Sequence, residues 1–334
     1  MDTADTVLAR VAALRRKNLV SLPTPLERAN GLSRTLGIDL LIKRDELTGL
    51  GAGGNKLRKL EFIVGRALDE GYDTLLTTGG IQSNHARLTA AVAAREGLAC
   101  ELHLRGRSPD RLVGNLLLSS ILGASLHYHE DVDYAEVDRR MAARAAILKD
   151  QGRHALAVPL GGGTPEGTVG YLVAVAELMR QIGDSGRRPD LFVAAGGTGS
   201  TSAGLSLGAQ IFSPRTSVLA VSVSWKRDVL ESEILRHRRS AARLLGVEDN
   251  AEIWVEDGFV GPGYSQPSEA GAKALLQLAR ADGILLDTTY TAKALSGLIG
   301  LVEAGRIAQG SSVVFWHTGG LPELFTRSIT DLVK

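Results

Sequence analysis

The sequence predicts an α/β protein whose parallel-rich sheets carry helices on both faces. Three observations predict it. Short β-type runs alternate with longer runs of helical period, which reads as successive βαβ units. The strands expected over 191–195 and 313–316 are apolar along nearly their whole length, as strands covered on both faces must be. The 39 glycines gather where apolar runs begin or end, and there the backbone can turn sharply or approach a ligand closely.

In chain order, strands are expected over 73–77, 100–104, 125–128, 155–159, 191–195, 218–223, 253–255 and 313–316. Helices are expected over 56–70, 83–96, 137–151, 167–182, 202–211, 229–245, 267–282 and 291–303. A polar, charged break runs over 185–189, either a surface loop or part of a crossover. No internal repeat or low-complexity segment interrupts the pattern.

A length of 334 residues suggests about two domains. The 44% hydrophobic and 22% charged content is that of a globular protein with ample core. The net charge is +1, so no basic excess exists to neutralise a nucleic acid, and any anion site must be local. The single cysteine, Cys100, forbids a disulfide within the chain and reads as a small buried hydrophobe. Met1 and Asp2 open an acidic start, with no basic-then-apolar leader, and no run of ~18 apolar residues spans a membrane. The cytoplasm is the expected location. No metal ligand set is assigned.

Three constellations carry chemistry. The first runs from Gly51 through Gly53, Gly54 and Asn55 into Lys56, at the start of a helix whose apolar face is Leu57, Leu60, Ile63 and Val64. A cation there opposes the helix field, so Lys56 has a reason to lose its proton, and a neutral amine is the nucleophile of Schiff-base chemistry. Lys59 lies one turn on and could serve an anion. Spacing alone also fits two solvated lysines. The second is Gln82-Ser83-Asn84-His85, between a strand and a helix. Ser83 or Asn84 could simply cap the helix, and His85 could be structural. The third is Gly196-Gly197-Thr198-Gly199-Ser200-Thr201, straight after the strand over 191–195. Backbone amides and hydroxyls there fit a single phosphomonoester, or a mere tight turn. It is no Walker loop, since no Gly-Lys-Ser/Thr follows. No acid stands at the end of the next strand to bind a ribose, so a dinucleotide is disfavoured. Tyr264, Tyr290 with Thr291, and His317-Thr318-Gly319-Gly320 at a strand end complete the candidates.

Together these motifs resemble the D-cysteine desulfhydrase and 1-aminocyclopropane-1-carboxylate deaminase family. The likeness extends from about Leu22 to about Phe325 and rests on Lys43-Arg44-Asp45, Gly53 to Glu61, Gln82 to His85, Gly196 to Thr201, Tyr290 to Lys293 and His317 to Gly320. It implies the tryptophan-synthase-β-like type II fold of pyridoxal-phosphate enzymes, with residues 1–55 and 162–334 as a large cofactor-binding domain and 56–161 as a smaller one. It implies pyridoxal 5'-phosphate held by Lys56 as a Schiff base, with Lys59, Gly197, Thr198, Gly199, Ser200 and Thr201 at the phosphate. Asn84 would meet the phenolic oxygen, Tyr290 would stack on the ring, and Thr291 would face the pyridine nitrogen, with Thr318 also in contact. Ser83, Asn84, His85, Gly162 and Tyr264 would surround a small amino-acid substrate, with Lys56, Ser83, Tyr264 and Tyr290 catalytic. A homodimer is implied.

The deaminases carry Glu where Thr291 stands, and a cysteine in the stretch that holds Gly162. A hydroxyl leaves the ring a weaker electron sink than a carboxylate would. Both departures favour β-elimination over opening a cyclopropane. D-cysteine is the expected substrate, giving pyruvate, ammonia and sulfide; L-cysteate, losing sulfite, is the rival, with Trp225, Lys226, Arg227, Ser265, Gln266 and Ser268 as polar groups that could meet a sulfonate.

Overall fold

A computed structural model describes residues 4–183, 186–328, 330 and 332; the expected break over 185–189 begins outside them. The described strands form two sheets. The larger contains β1 (Leu26–Arg28), β2 (Asp39–Arg44), β7 (Leu191–Gly196), β8 (Ser217–Ser222), β9 (Trp254–Glu256) and β10 (Ser312–His317), in the order β1-β2-β10-β7-β8-β9. Only the β1–β2 pair is antiparallel. The smaller contains β3 (Thr74–Gly80), β4 (Ala99–Arg105), β5 (Ser125–His129) and β6 (Ala155–Val158), in the order β5-β4-β3-β6, all parallel.

Alternation along β7 shows why these strands read as apolar throughout. Leu191, Val193 and Ala195 enter one core, against helices α10 (Glu269–Asp282) and α11 (Thr291–Glu303). Phe192 and Ala194 enter the opposite core, against α7 (Pro165–Ile182) and α8 (Ser200–Phe212). Helices α3 (Lys56–Asp69) and α4 (Asn84–Glu96) flank the smaller sheet, which α6 (Tyr134–Asp150) covers from its other side. Close approach between α7 and α8 needs Gly204, where a Cβ would lie 2.4 Å from the Thr168 carbonyl oxygen.

Every expected strand and helix is present, with ends within three residues of expectation. Some shifts have a visible cause. Thr164 caps α7 by accepting from Gly167 N (3.0 Å), with Pro165 in the first turn, so this helix starts two residues early. Asp133 likewise caps α6. The structure adds α1 (Ala4–Ala12), β1, α2 (Asn30–Leu36), β2, α5 (Gly114–Ile121), α12 (Leu321–Leu324) and α9 as the longer form Arg227–Leu245. β2 escaped detection because Lys43 and Arg44 end it, yet Lys43 is fully buried.

Lys43 is tolerated because its charge is answered. Its Nζ donates to Glu177 Oε1 (2.6 Å), Gln181 Oε1 (2.6 Å) and the Thr24 carbonyl (2.7 Å). Arg58, from the first turns of α3, donates to Asp45 Oδ1 (2.8 Å) and Oδ2 (2.9 Å) and to Glu177 Oε2 (2.9 Å). Tyr171 OH donates to Asp45 Oδ2 (2.7 Å). Two cations and two carboxylates, all buried, therefore balance and tie α3 to β2 and α7. Replacing Arg58 by Met strands the carboxylates and is expected to cost about 3–5 kcal/mol of stability, read as a lower urea midpoint. Arg139→Met, which breaks an exposed pair with Glu136, should cost under about 1 kcal/mol. Equal losses would refute the weight given to burial.

Candidate active site

The C-terminal ends of β3, β7 and β10 open on one cavity of about 240 Å³, between the two sheets. Strand ends of parallel sheets collect ligand groups because the following helices point their N-termini there.

The glycine turn before α3 sets its floor. Gly53 has φ +66°, and a Cβ there would lie 1.9 Å from the Glu46 carbonyl oxygen, so only glycine fits. Asn55 then pins the turn twice: its N–H donates to the Thr318 carbonyl (2.9 Å) and its Nδ2 to Thr201 Oγ1 (3.1 Å). Lys56 follows, half-buried, on the cavity wall. Burial lowers its amine to about 8. The sequence pointed to the helix field for this effect; the structure points to burial.

Lys59 is fully buried and does not line the cavity; it reaches the glycine turn after β7 from behind. Its Nζ donates to Ser200 Oγ (2.5 Å) and the Gly161 carbonyl (3.2 Å). Burial, then the nearby Lys56, pull its pKa well below the usual lysine value. Gly197, Thr198, Gly199 and Thr201 line the cavity, while Ser200 faces Lys59. Gly199 caps α8 with φ +86°, and a Cβ there would press on Ile234 at 3.1 Å.

The wall opposite comes from β3 and α4. Ser83 caps α4 by accepting from Ala86 N (3.1 Å), which leaves its own hydroxyl proton free. Asn84 Oδ1 accepts from Asn115 Nδ2 (2.9 Å), so its Nδ2 donors remain for a ligand. His85 Nε2 meets Thr77 Oγ1 at 2.9 Å, and that hydroxyl donates to the Val158 carbonyl (2.8 Å). His85 must therefore donate from Nε2, leaving Nδ1 a buried acceptor without a partner. Burial, with Lys56 and Lys59 nearby, holds this imidazole neutral. Gly162 does not line the cavity; it lies against His85.

Tyr290 and Tyr264 close the site, their hydroxyls 2.5 Å apart. Tyr290 is held by Asp287, a carboxylate with no sequence signal beyond its place before the motif. Asp287 accepts from Thr289 N (3.0 Å), Tyr290 N (2.8 Å), Thr291 N (2.8 Å) and Thr291 Oγ1 (2.6 Å). Burial, then Glu323, raise it to about 6. One expectation is corrected here: Thr291 is fully buried, spends its hydroxyl on Asp287 and does not reach the cavity, whereas Thr318 does. A second correction concerns the sulfonate residues. Trp225 lines the cavity, but Lys226, Arg227, Ser265, Gln266 and Ser268 do not; Ser268 caps α10 instead.

Sequence reasoning missed three more groups. Arg105, at the end of β4, lines the cavity beside Tyr134, its guanidinium 5.2 Å from that ring's centre. Arg87 is buried and clamps the first glycine turn, donating to the carbonyls of Gly51 and Gly53 (2.9 Å to the latter). Asn115 holds Arg87 Nε (2.9 Å) as well as Asn84. A buried arginine in the alanine-rich stretch 86–94 was the available signal for Arg87.

The arrangement fits pyridoxal phosphate: an amine that loses its proton readily, a glycine turn at a helix start backed by Lys59, free amide donors on Asn84, and an aromatic face on Tyr290. Comparison with known proteins agrees. The model of the family described as "Pyridoxal-phosphate dependent enzyme" matches residues 18–319. The chain is 38% identical over 326 residues to the D-cysteine desulfhydrase of Yersinia enterocolitica, covering 96% of this chain and 98% of that one. It is 37% identical to the D-cysteine desulfhydrase of Salmonella typhi, over 93% and 95% of the two chains. A crystal structure described as an ACC deaminase homologue superposes with a TM-score of 0.91 at 36% identity, over 98% of each chain. The fold is thus the type II fold of pyridoxal-phosphate enzymes.

The Lys56 environment sets a pH signature. Its amine titrates near 8 when folded and near 10.5 when free, so between those values the unfolded chain binds more protons and stability rises with pH. Below 8 the buried ammonium is a full burden. Cofactor-free Lys56→Met is expected to melt above the parent chain below pH 8, with the gap closing above pH 10.5. A pH-independent gap would contradict the buried amine.

Proposed function

The chain belongs to the pyridoxal-phosphate dependent enzyme family, and on that footing we propose that it is a carbon–sulfur lyase, converting D-cysteine and water to pyruvate, ammonia and sulfide. The observation that carries this reading is the charge of the cavity wall: among the described residues it holds Lys56 and Arg105 but no carboxylate. An amino-acid carboxylate and a phosphate are welcome there. No acid stands ready to keep a pyridine nitrogen protonated, which suits loss of a good leaving group from Cβ.

In this reading Lys56 bonds the cofactor, and the turn Gly197 to Thr201 with Lys59 holds its phosphate. Asn84, Tyr290 and Thr318, which line the same cavity, would hold the rest of the cofactor. When bound, the cofactor draws electrons from Cα, acidifying the Cα–H bond and letting thiolate leave from Cβ. The chain's own residues then handle protons. Lys56, with its lowered pKa, is a base near neutral pH. Ser83 is the other candidate, and which of the two takes the Cα proton depends on substrate handedness. Burial raises the pKa of both Tyr264 and Tyr290, so the pair stays protonated; one hydroxyl proton closes the pair and the other is free for the departing sulfur.

Arg105 supports a second reading, elimination of sulfite from L-cysteate, because its cation can meet a sulfonate. A homodimer in the cytoplasm belongs to the same proposal. No described helix is long and apolar enough to cross a membrane, and light scattering of the purified chain checks the stoichiometry.

Assays of sulfide, sulfite and 2-oxobutyrate with D-cysteine, L-cysteate and aminocyclopropane carboxylate separate the readings. Sulfide from D-cysteine is expected, and Lys56→Ala should abolish it. Release of 2-oxobutyrate alone, or full activity in Lys56→Ala, overturns the proposal. Arg105→Met should lower kcat/KM for L-cysteate by about ten- to hundredfold and lower that for D-cysteine by a smaller factor, because D-cysteine has only the carboxylate to meet this cation.

A further inference from the structure

A second cluster of ionisable groups lies outside the cavity, on the face of the smaller sheet beneath α6. Side chains two apart on a strand share a face, so β4 presents Glu101, His103 and Arg105 together, and β5 presents His127 and His129. The parallel register sets His103 beside His127 and Arg105 beside His129. The three imidazoles stack: His103 lies 4.9 Å from His127 and 5.2 Å from His129, centre to centre, with ring planes 15° and 11° from parallel.

Three ligand atoms converge there. His127 Nε2 lies 3.4 Å from Glu101 Oε2, and His103 Nε2 lies 4.0 Å from it. One atom from each residue falls within 4.8 Å of the others. Both Nε2 atoms are buried and lack any hydrogen-bond partner, although His103 itself is only 4% exposed. Two orphaned imidazole nitrogens beside one carboxylate are costly unless something answers them.

We infer that Glu101, His103 and His127 form a binding site for a divalent transition-metal ion, zinc foremost. Two imidazoles and a carboxylate are a zinc ligand set, and half-exposed His127 leaves a position for water. Ligand atoms around tetrahedral zinc stand about 3.4 Å apart; His127 Nε2 already stands at that distance from Glu101 Oε2, whereas His103 Nε2 at 4.0 Å has to close in, and the stacked rings must turn towards each other to bring both nitrogens onto one ion.

His129 is the outer support. Its Nε2 lies 3.1 Å from His103 Nδ1, where a ligating histidine characteristically makes its second hydrogen bond. Two arginines from α6 oppose the ion. Arg144 donates to both Glu101 oxygens (2.8 Å each), and Oε2 must share its second lone pair with the ion. Arg140 Nη1 lies 3.3 Å from His129 Nδ1. Without an ion Arg140 donates there, so His129 donates to His103; ion binding reverses the order of tautomers and turns Arg140 away. Arg140 keeps its hold on Glu136 Oε1 (2.8 Å) throughout.

The test is calorimetric titration of zinc into chelator-treated holoenzyme, with the visible cofactor band recorded alongside. One saturable site per chain is expected, with a zinc-dependent rise in melting temperature and an unchanged band. His103→Ala and His127→Ala should each weaken binding at least about tenfold, and Arg140→Ala should tighten it severalfold. If His103→Ala fails to fold, surface-facing His127→Ala decides alone. Absence of saturable binding, binding unchanged in His127→Ala, or a zinc-induced change in the cofactor band that persists in that variant overturns the site.

Discussion

The fold of this chain depends on a buried quartet of charges, Lys43, Asp45, Arg58 and Glu177, drawn from a strand, a short turn and two helices. Each would be prohibitive alone. Together they cancel, and their hydrogen bonds leave little freedom in where α3 begins. That helix carries Lys56 at its first position, so electrostatic balance elsewhere along it decides where that amine stands. Arg87 performs the same service from the other side, fixing the turn before α3 through its carbonyl oxygens.

Around the cavity the charges are sorted by depth. Cations and amide donors reach the wall, whereas carboxylates stop one layer behind it. Asp287 lies under Tyr290, and Glu46 lies under the turn, 3.6 Å from His317. Both carry raised pKa values, about 6 and about 7, with burial as the first cause in each case. Their work is to orient backbone and rings. The cavity wall itself is left to cations and neutral donors.

Much of this was legible in the sequence, for physical reasons. Strands buried on both faces leave an apolar signature, and turns that need glycine leave clusters of it. Lys56, the turn after β7 and the Ser83-Asn84-His85 stretch were found that way, and the structure brings all of them to one cavity. β2 was missed because the partner that neutralises Lys43 lies 134 residues along the chain. Arg87, Asn115 and Asp287 act through similarly remote or hidden contacts. Thr291 was misread because adjacency to Tyr290 does not say which way a hydroxyl turns. Arg105 looked like an ordinary polar strand end.

Gly162 carries a consequence for how one chemistry could give way to another. Its backbone sits in the left-handed region, φ +67°, and a first side-chain atom there would press on His85 at 3.3 Å. Installing a nucleophile at this point is therefore a conformational problem before it is a chemical one, with strain of about 1–3 kcal/mol. A lineage, or an engineer, would have to re-route the loop first. Any side chain placed at residue 162 must first be accommodated by the main chain and by His85.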